Sequence, residues 1–115
     1  METIQLKKLI YNHYDLDVNN LKKLNGYDTE NFLVHCKDES KYILKKYPFS
    51  NENLSLIKAE NNCLEYLIRR NKSSYPSPIY TNNKDSFVIV KNNNKKYIVR
   101  LLSYLDGVFL GELDL

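Results

Sequence analysis

The chain of 115 residues is poor in cysteine and has no long apolar run. Both shortages argue against particular classes of protein. Its two cysteines, Cys36 and Cys63, are far apart in sequence without partner histidines, so we expect buried, reduced thiols instead of a disulfide framework or a metal site. No segment approaches the roughly 18 consecutive apolar residues of a membrane-spanning helix. The opening residues Met1–Gln5 meet lysines at once, unlike a signal peptide. We therefore expect a cytoplasmic protein without membrane contact.

Arginine is also scarce, with 14 lysines and three arginines behind a net charge of +3. Most lysines form dispersed doublets, which is typical of solvated faces. A protein that binds nucleic acid more often carries arginine or a concentrated basic stripe. The weak positive balance disfavours nucleic acid as a partner and suits an anionic small ligand.

The pattern of apolar residues predicts an α+β fold. Thr3 caps a short helix that runs to His13, and residues 15–20 form a polar connector. A second, main helix follows Ser50, its expected N-cap, and ends near Arg70. Strand patterns occupy the stretches 21–24, 32–36, 41–45, 79–81, 87–90 and 97–102. We expect an antiparallel sheet of about five strands with one main packed helix.

The main helix has an acidic residue within its apolar face. Ile57, Leu64, Leu67 and Ile68 form the stripe, which Ala59 and Cys63 widen. Glu60 lies three residues after Ile57 and four before Leu64, so it shares their face. A buried carboxylate needs a partner because an unpaired charge is costly there. The alternative is a glutamate at the rim whose head reaches water, and position alone favours that alternative.

Lys45 is the candidate partner of Glu60. It ends the strand pattern 41–45 and shares one strand face with Ile43 by two-residue alternation. A single strand lysine is more often solvated. The order of strand lysine, loop and helix glutamate is nevertheless how kinase folds place an ammonium on nucleotide phosphates.

Four stretches together resemble a known superfamily. They are Gly26-Tyr27-Asp28 with Asn31-Phe32, then Tyr42-Ile43-Leu44-Lys45, Glu60-Asn61, and the run from Val99 to Gly107. In this order they resemble the N-terminal lobe of the aminoglycoside phosphotransferase and choline kinase superfamily. The chain looks most similar to hydroxylysine kinase-like members, over roughly residues 21–113.

The resemblance implies a nucleotide site for ATP or GTP with Mg²⁺. Lys45 would contact the α- and β-phosphates, Glu60 would position it, and residues 26–31 would cover the phosphates. Ile43 would cover the base, and residues 103–107 would form an interlobe hinge whose backbone bonds the purine. The implied nucleotide-binding residues are Gly26, Tyr27, Asp28, Asn31, Val34, Ile43, Lys45, Glu60, Ser103, Tyr104 and Leu105.

The resemblance also implies that residues 1–115 are one lobe of a longer protein, with residues 1–20 as an N-terminal helix and connector. The catalytic aspartate and the metal ligands would belong to an absent C-terminal lobe. We expect no catalytic H-x-D or D-x-D motif here, and we expect the fragment to be inactive alone. The phosphate acceptor would be a hydroxyl of an amino alcohol or hydroxylated amine.

Two other interpretations stay open from the sequence. The chain could be a stand-alone α+β binding module for a protein or nucleic-acid partner. It could also keep the kinase-like fold in a degenerate kinase or in a fusion to a pyridoxal-phosphate aminotransferase.

Overall fold

The computed structural model describes residues 2–24, 29–70 and 75–104. Within them lie two helices and six strands, in the order α1 (Thr3–Tyr14), β1 (Val18–Leu24), β2 (Glu30–Cys36), β3 (Lys41–Pro48), α2 (Asn51–Arg70), β4 (Pro78–Ile79), β5 (Val88–Asn92) and β6 (Lys95–Ser103). The strands form one antiparallel sheet in the order β1-β2-β3-β6-β4, and β5 also pairs with β6. The predicted α+β class is confirmed. Neither described helix is long and apolar enough to cross a membrane.

The turn between β5 and β6 is formed by asparagines. Asn93 and Asn94 both have positive φ angles, of 53° and 65°. Two successive left-handed residues match the twist of a hairpin, and asparagine tolerates that conformation better than most residues. The turn therefore brings β6 back along β5 and into the centre of the sheet.

Helix α1 covers one side of the sheet, here called the α1 face. Leu6, Leu9 and Ile10 of the helix pack on strand residues that include Val34 and Leu101. This is the largest apolar cluster among the described residues, and it also holds Cys36, Leu44, Val88 and Val99. The α1 face is thus an apolar core.

Helix α2 covers the opposite side, here called the α2 face. Its N-terminus follows the prediction, because the Asn53 N–H donates to the Ser50 Oγ at 2.9 Å. Ile57 packs with Tyr47 and Ile98 near the start of the helix. About two turns further on, Leu64 packs with Ile43 and Leu102. Two apolar contacts therefore hold α2, with the segment 60–61 between them.

Several local predictions need correction. Glu2, not Thr3, caps α1, through reciprocal hydrogen bonds with Gln5. Strand β1 begins at Val18, inside the expected connector, because Val18 is buried in the α1-face core. Ala59 and Cys63 are exposed and do not widen the buried stripe of α2. Each lies two residues from the buried Asn61, and two residues correspond to about 200° of rotation around the helix. Both side chains therefore point away from the sheet.

Candidate functional site

Lys45 lies in the middle of the sheet on the α2 face. By register it is opposite Asn31 of β2 and Arg100 of β6, and directly paired residues share a face. Ile43 shares this face as expected, since it packs against α2. Lys45 is only 4% exposed, so it is buried, unlike most single lysines on strands.

Arg100 is completely buried beside Lys45 and is held by three hydrogen bonds. Its Nε donates to the Tyr47 hydroxyl at 3.0 Å, and its Nη1 donates to Asn61 Oδ1 at 2.8 Å. Its Nη2 donates to Glu60 Oε2 at 2.5 Å, which makes a buried ion pair. A buried guanidinium is tolerated when its donors and its charge are satisfied in this way. Arg100 therefore links β3, β6 and α2 at one point.

Glu60 faces the sheet and not the solvent rim. Its side chain is 15% exposed, and its oxygen accepts the hydrogen bond from Arg100. Lys45 and Glu60 lie on the same side of the sheet, and the Glu60 charge raises the pKa of Lys45. The predicted ion pair between Lys45 and Glu60 stays a prediction. The ion pair of Glu60 with Arg100, however, was not foreseen.

The environment of Lys45 lowers its pKa to about 8, chiefly because burial penalises the charged ammonium. The positive charge of Arg100 lowers it further, and the Glu60 carboxylate opposes both effects. Burial also raises the pKa of Tyr47, which bonds to Arg100. Lys45 thus titrates much nearer neutrality than an exposed lysine.

Lys45, Arg100 and Glu60 together form what we call the Lys45 cluster. It contains two cations and one carboxylate, so it has a net charge of +1 when Lys45 is protonated. Charges in a poorly solvated place interact far more strongly than charges in water. The cluster can therefore attract an anion.

The structure changes one predicted pocket position in β2. Asn31 is buried and directly opposite Lys45, as a residue of the predicted site should be. Val34 is buried in the α1-face core, on the other side of the sheet. Leu33 pairs with Ile43 and joins its cluster on the α2 face. Alternation along β2 therefore assigns to Leu33 the place that the sequence interpretation gave to Val34.

The predicted hinge begins at the end of β6. The Ser103 Oγ accepts the Ser77 N–H at 2.7 Å, and the Ser103 N–H donates to the Ser77 carbonyl at 2.9 Å. The Lys41 ammonium lies 5.6 Å from the centre of the Tyr104 ring. Because the Ser103 N–H is already bonded to the carbonyl of Ser77, just before β4, it is not available to a purine. The remaining predicted site residues lie outside the described residues: Gly26, Tyr27, Asp28 and Leu105.

The segment His13-Tyr14-Asp15-Leu16-Asp17 does contain the H-x-D and D-x-D spacings that were not expected in this lobe. Asp15 is the exposed left-handed residue that ends α1. Asp17 lies 3.6 Å from the Lys37 ammonium, and both side chains are about two-thirds exposed, at 65% and 64%. Among the described residues no group of three or more histidine, cysteine or acidic side chains could hold a metal ion. The spacings mark a helix end and a solvated connector.

A groove of about 290 Å³ lies elsewhere, between the C-terminal half of α2 and β4. Its lining residues are Glu65, Ile68, Arg69, Ser77, Pro78 and Tyr80. Tyr80 donates a hydrogen bond to Glu65 across it. None of these residues belongs to the Lys45 cluster, so the groove and the charged site are separate features.

Sequence reasoning missed Arg100, Tyr47 and Asn61. A signal for Arg100 was present, because it interrupts the apolar run Ile98-Val99-Arg100-Leu101-Leu102 in a central strand. A charge in such a run needs a partner for the same reason that Glu60 does. Asn61 had no comparable signal, since an asparagine next to a glutamate is ordinary on a helix.

The fold is similar to that of the amicoumacin kinase hAmiN, solved in complex with AMP-PNP, Ca²⁺ and Ami. This chain has a kinase-like fold. The TM-score is 0.75 at 16% sequence identity, and the match covers 99% of this chain. It covers 34% of that chain, so the kinase-like fold described here spans about a third of the length of hAmiN. No protein-family model and no curated protein matches the sequence.

Proposed function

We propose that the chain is the nucleotide-binding lobe of a small-molecule phosphotransferase. The observation that carries the proposal is the Lys45 cluster, in which a buried central-strand lysine and a helix glutamate lie on the same face of the sheet and the glutamate is ion-paired with Arg100. The kinase-like fold supports it, since hAmiN was solved with AMP-PNP and Ca²⁺. A strand lysine beside a helix glutamate is the arrangement with which kinases hold phosphates.

Lys45 would contribute a charged ammonium to the α- and β-phosphates of ATP or GTP. The net positive charge of the cluster would favour the anion, and Ile43 with Leu33 would offer apolar surface to the base. Glu60 would keep the ammonium in place, and Asn31 lies beside it. The proposed role of these groups is to bind and orient the nucleotide.

The metal ions and the acceptor site are assigned to a C-terminal lobe of the same protein. A divalent ion would neutralise charge that develops on the transferred phosphoryl group. The acceptor class, an amino alcohol or a hydroxylated amine such as hydroxylysine or choline, rests on the superfamily resemblance. We propose that residues 1–115 alone do not transfer phosphate.

Phosphoryl transfer by the full-length protein tests this proposal, with Lys45→Ala as the variant. We expect wild-type protein to bind Mg²⁺·ATP, measured by calorimetry, and to phosphorylate an acceptor from a panel of amino alcohols, measured by mass spectrometry. Lys45→Ala should reduce transfer by at least about 100-fold, because transition-state charge stabilisation is lost.

Lys46→Ala is the matched control. Lys46 is the next residue of β3 and is also 4% exposed, but it lies 3.6 Å from Glu30 and 4.1 Å from the centre of the Tyr97 ring. It pairs with Val99, on the α1 face. Equal losses in the two variants would indicate a stability effect, and undiminished transfer by Lys45→Ala would remove Lys45 from the mechanism.

A further inference from the structure

Arg100 is the described charged residue that is most completely removed from water, with 0% exposure. Taking a guanidinium out of water costs several kcal/mol unless its charge and donors are met. Here they are met by Glu60 and Asn61 of α2 and by Tyr47 of β3. Three partners on two elements form an arrangement more specific than one surface ion pair.

These hydrogen bonds lie between the two apolar contacts of α2. Ile57 packs on one side of them and Leu64 on the other. The buried stripe sets which face of α2 meets the sheet, but apolar contacts are not directional and leave the exact rotation of the helix loosely defined. Hydrogen bonds from a rigid guanidinium fork are directional. Arg100 therefore adds directional contacts to α2 at the turn that carries Glu60.

Arg100 also acts on Lys45 through its charge. Arg100 from β6 and Glu60 from α2 are two charged groups that act on Lys45. Asn31, opposite it on β2, is uncharged. Tyr47 is the titratable neighbour on its own strand face, and Lys46 and Glu30 pair on the other face. Burial is the main influence on the charge of Lys45, and one cation and one carboxylate act on it in opposite directions.

We propose that Arg100 is a positioning residue of the nucleotide site, which fixes Glu60 beside Lys45 and keeps the site net positive. The identity of the anion, a nucleoside triphosphate, rests on the proposed function. It assigns to Arg100 no direct contact with the nucleotide. Without the guanidinium, Glu60 would neutralise Lys45 and the attraction for phosphates would fall.

The test uses the full-length protein with Arg100 changed to glutamine, which is neutral and polar, or to lysine, which keeps the charge. The first readout is the pH midpoint for acetylation of Lys45, followed by mass spectrometry without nucleotide. Arg100→Gln should raise this midpoint by about one pH unit or more, since a nearby cation is removed and the carboxylate remains. Arg100→Lys should raise it less, because a cation stays in place.

The second readout is the affinity for Mg²⁺·AMP-PNP, measured by calorimetry near neutral pH. Arg100→Gln should weaken binding by about tenfold or more, and Arg100→Lys should recover part of the loss. Arg70→Gln is the control, since Arg70 is exposed near the end of α2 and stacks on Tyr66. It should change neither readout.

The two readouts separate the two proposals. Failure of the wild type to bind Mg²⁺·AMP-PNP would overturn the proposed function. An unmoved Lys45 midpoint in folded Arg100→Gln would overturn the role of Arg100, whatever the nucleotide result. Where circular dichroism shows that Arg100→Gln does not fold, Glu60→Gln replaces it. That variant should lower the Lys45 midpoint below about 8, and an unchanged midpoint would equally overturn the inference.

Discussion

The two faces of the sheet differ in what fills their centres. The α1 face is a continuous apolar core, built from Leu6, Ile10, Val34 and the strand residues around them. The α2 face has two smaller apolar clusters, around Ile57 and Leu64, and a charged network between them. The charged hydrogen bonds of α2 come from the centre of the sheet, whereas α1 packs on the sheet through apolar side chains and is hydrogen-bonded to Asn82 near its C-terminal end.

Adjacent lysines of β3 make the comparison concrete. Lys45 and Lys46 are equally buried, at 4% exposure each, but they point to opposite faces. Lys46 lies near the half-exposed carboxylate of Glu30 and the ring of Tyr97. Lys45 lies opposite a second cation, Arg100, and Arg100 is ion-paired with the Glu60 carboxylate. The two lysines therefore differ not in burial but in the charges around them, which are unbalanced on the α2 face.

The largest expected effect comes from removing the carboxylate on the α2 face. Glu60→Leu would leave the Arg100 charge buried with neutral partners alone, and breaking a buried pair in this way costs about 3–5 kcal/mol. Glu30→Leu is the matched change for the other lysine. The Glu30 side chain is 47% exposed, so its loss should cost no more than about 1 kcal/mol.

Urea unfolding of both variants, followed by circular dichroism, measures this difference. The comparison between the faces requires a clearly lower free energy of unfolding for Glu60→Leu than for Glu30→Leu. Equal values would show that the Arg100–Glu60 pair does not stabilise α2.

A smaller effect is expected from pH. Because the pKa of Lys45 is about 8 in the folded chain and near 10.5 otherwise, the unfolded chain binds more protons between these values. The free energy of unfolding therefore rises with pH through this window, and the cost of the charged ammonium is present below about pH 8. Relative to Lys45→Met, the wild type should gain on the order of 2 kcal/mol between about pH 7.5 and about pH 10.

Urea titrations of the two proteins at each pH measure this gain, and taking their difference cancels the titration of other groups. A difference that stays flat with pH would mean that Lys45 is not desolvated as the structure shows. A difference that falls would mean that its pKa is raised by a dominant carboxylate.

The smallest effect separates the two cysteines. Cys63 is exposed on the outer side of α2, and Cys36 is 1% exposed in the α1-face core, where burial raises the pKa of its thiol. Iodoacetamide should modify Cys63 in the native chain and Cys36 after unfolding, as shown by mass spectrometry. Cys63→Ser should change the free energy of unfolding by no more than about 0.5 kcal/mol. Native labelling of Cys36 before Cys63 would contradict the packing of the α1 face.

Much of the fold was predictable because it follows local periodicity. The alternation in β2 and β3, the helical stripe from Ile57 to Leu64 and the cap at Ser50 are encoded within a few residues each. The errors arose where periodicity leaves a choice. The width of the α2 stripe is one case, and the face of Val34 is another, because a shift of one residue moves a strand side chain to the other side of the sheet.

The candidate site was predictable in its parts more than in its connections. Lys45 and Glu60 each stand out in the sequence as charges in apolar surroundings. Arg100 lies 40 residues beyond Glu60 in sequence, and no local pattern joins the two. The register of β3 with β6 decides that Arg100 meets Lys45.

The α+β order and the two helices follow from the sequence, because they depend on patterns within single segments. Which charges are buried, and which of them meet, follows only from the tertiary structure. Strand pairing placed two cations side by side, and the packing of α2 brought one carboxylate between the sheet and the helix. Long-range contacts of this kind depend on how separate segments are brought together in space, which neighbouring residues do not specify.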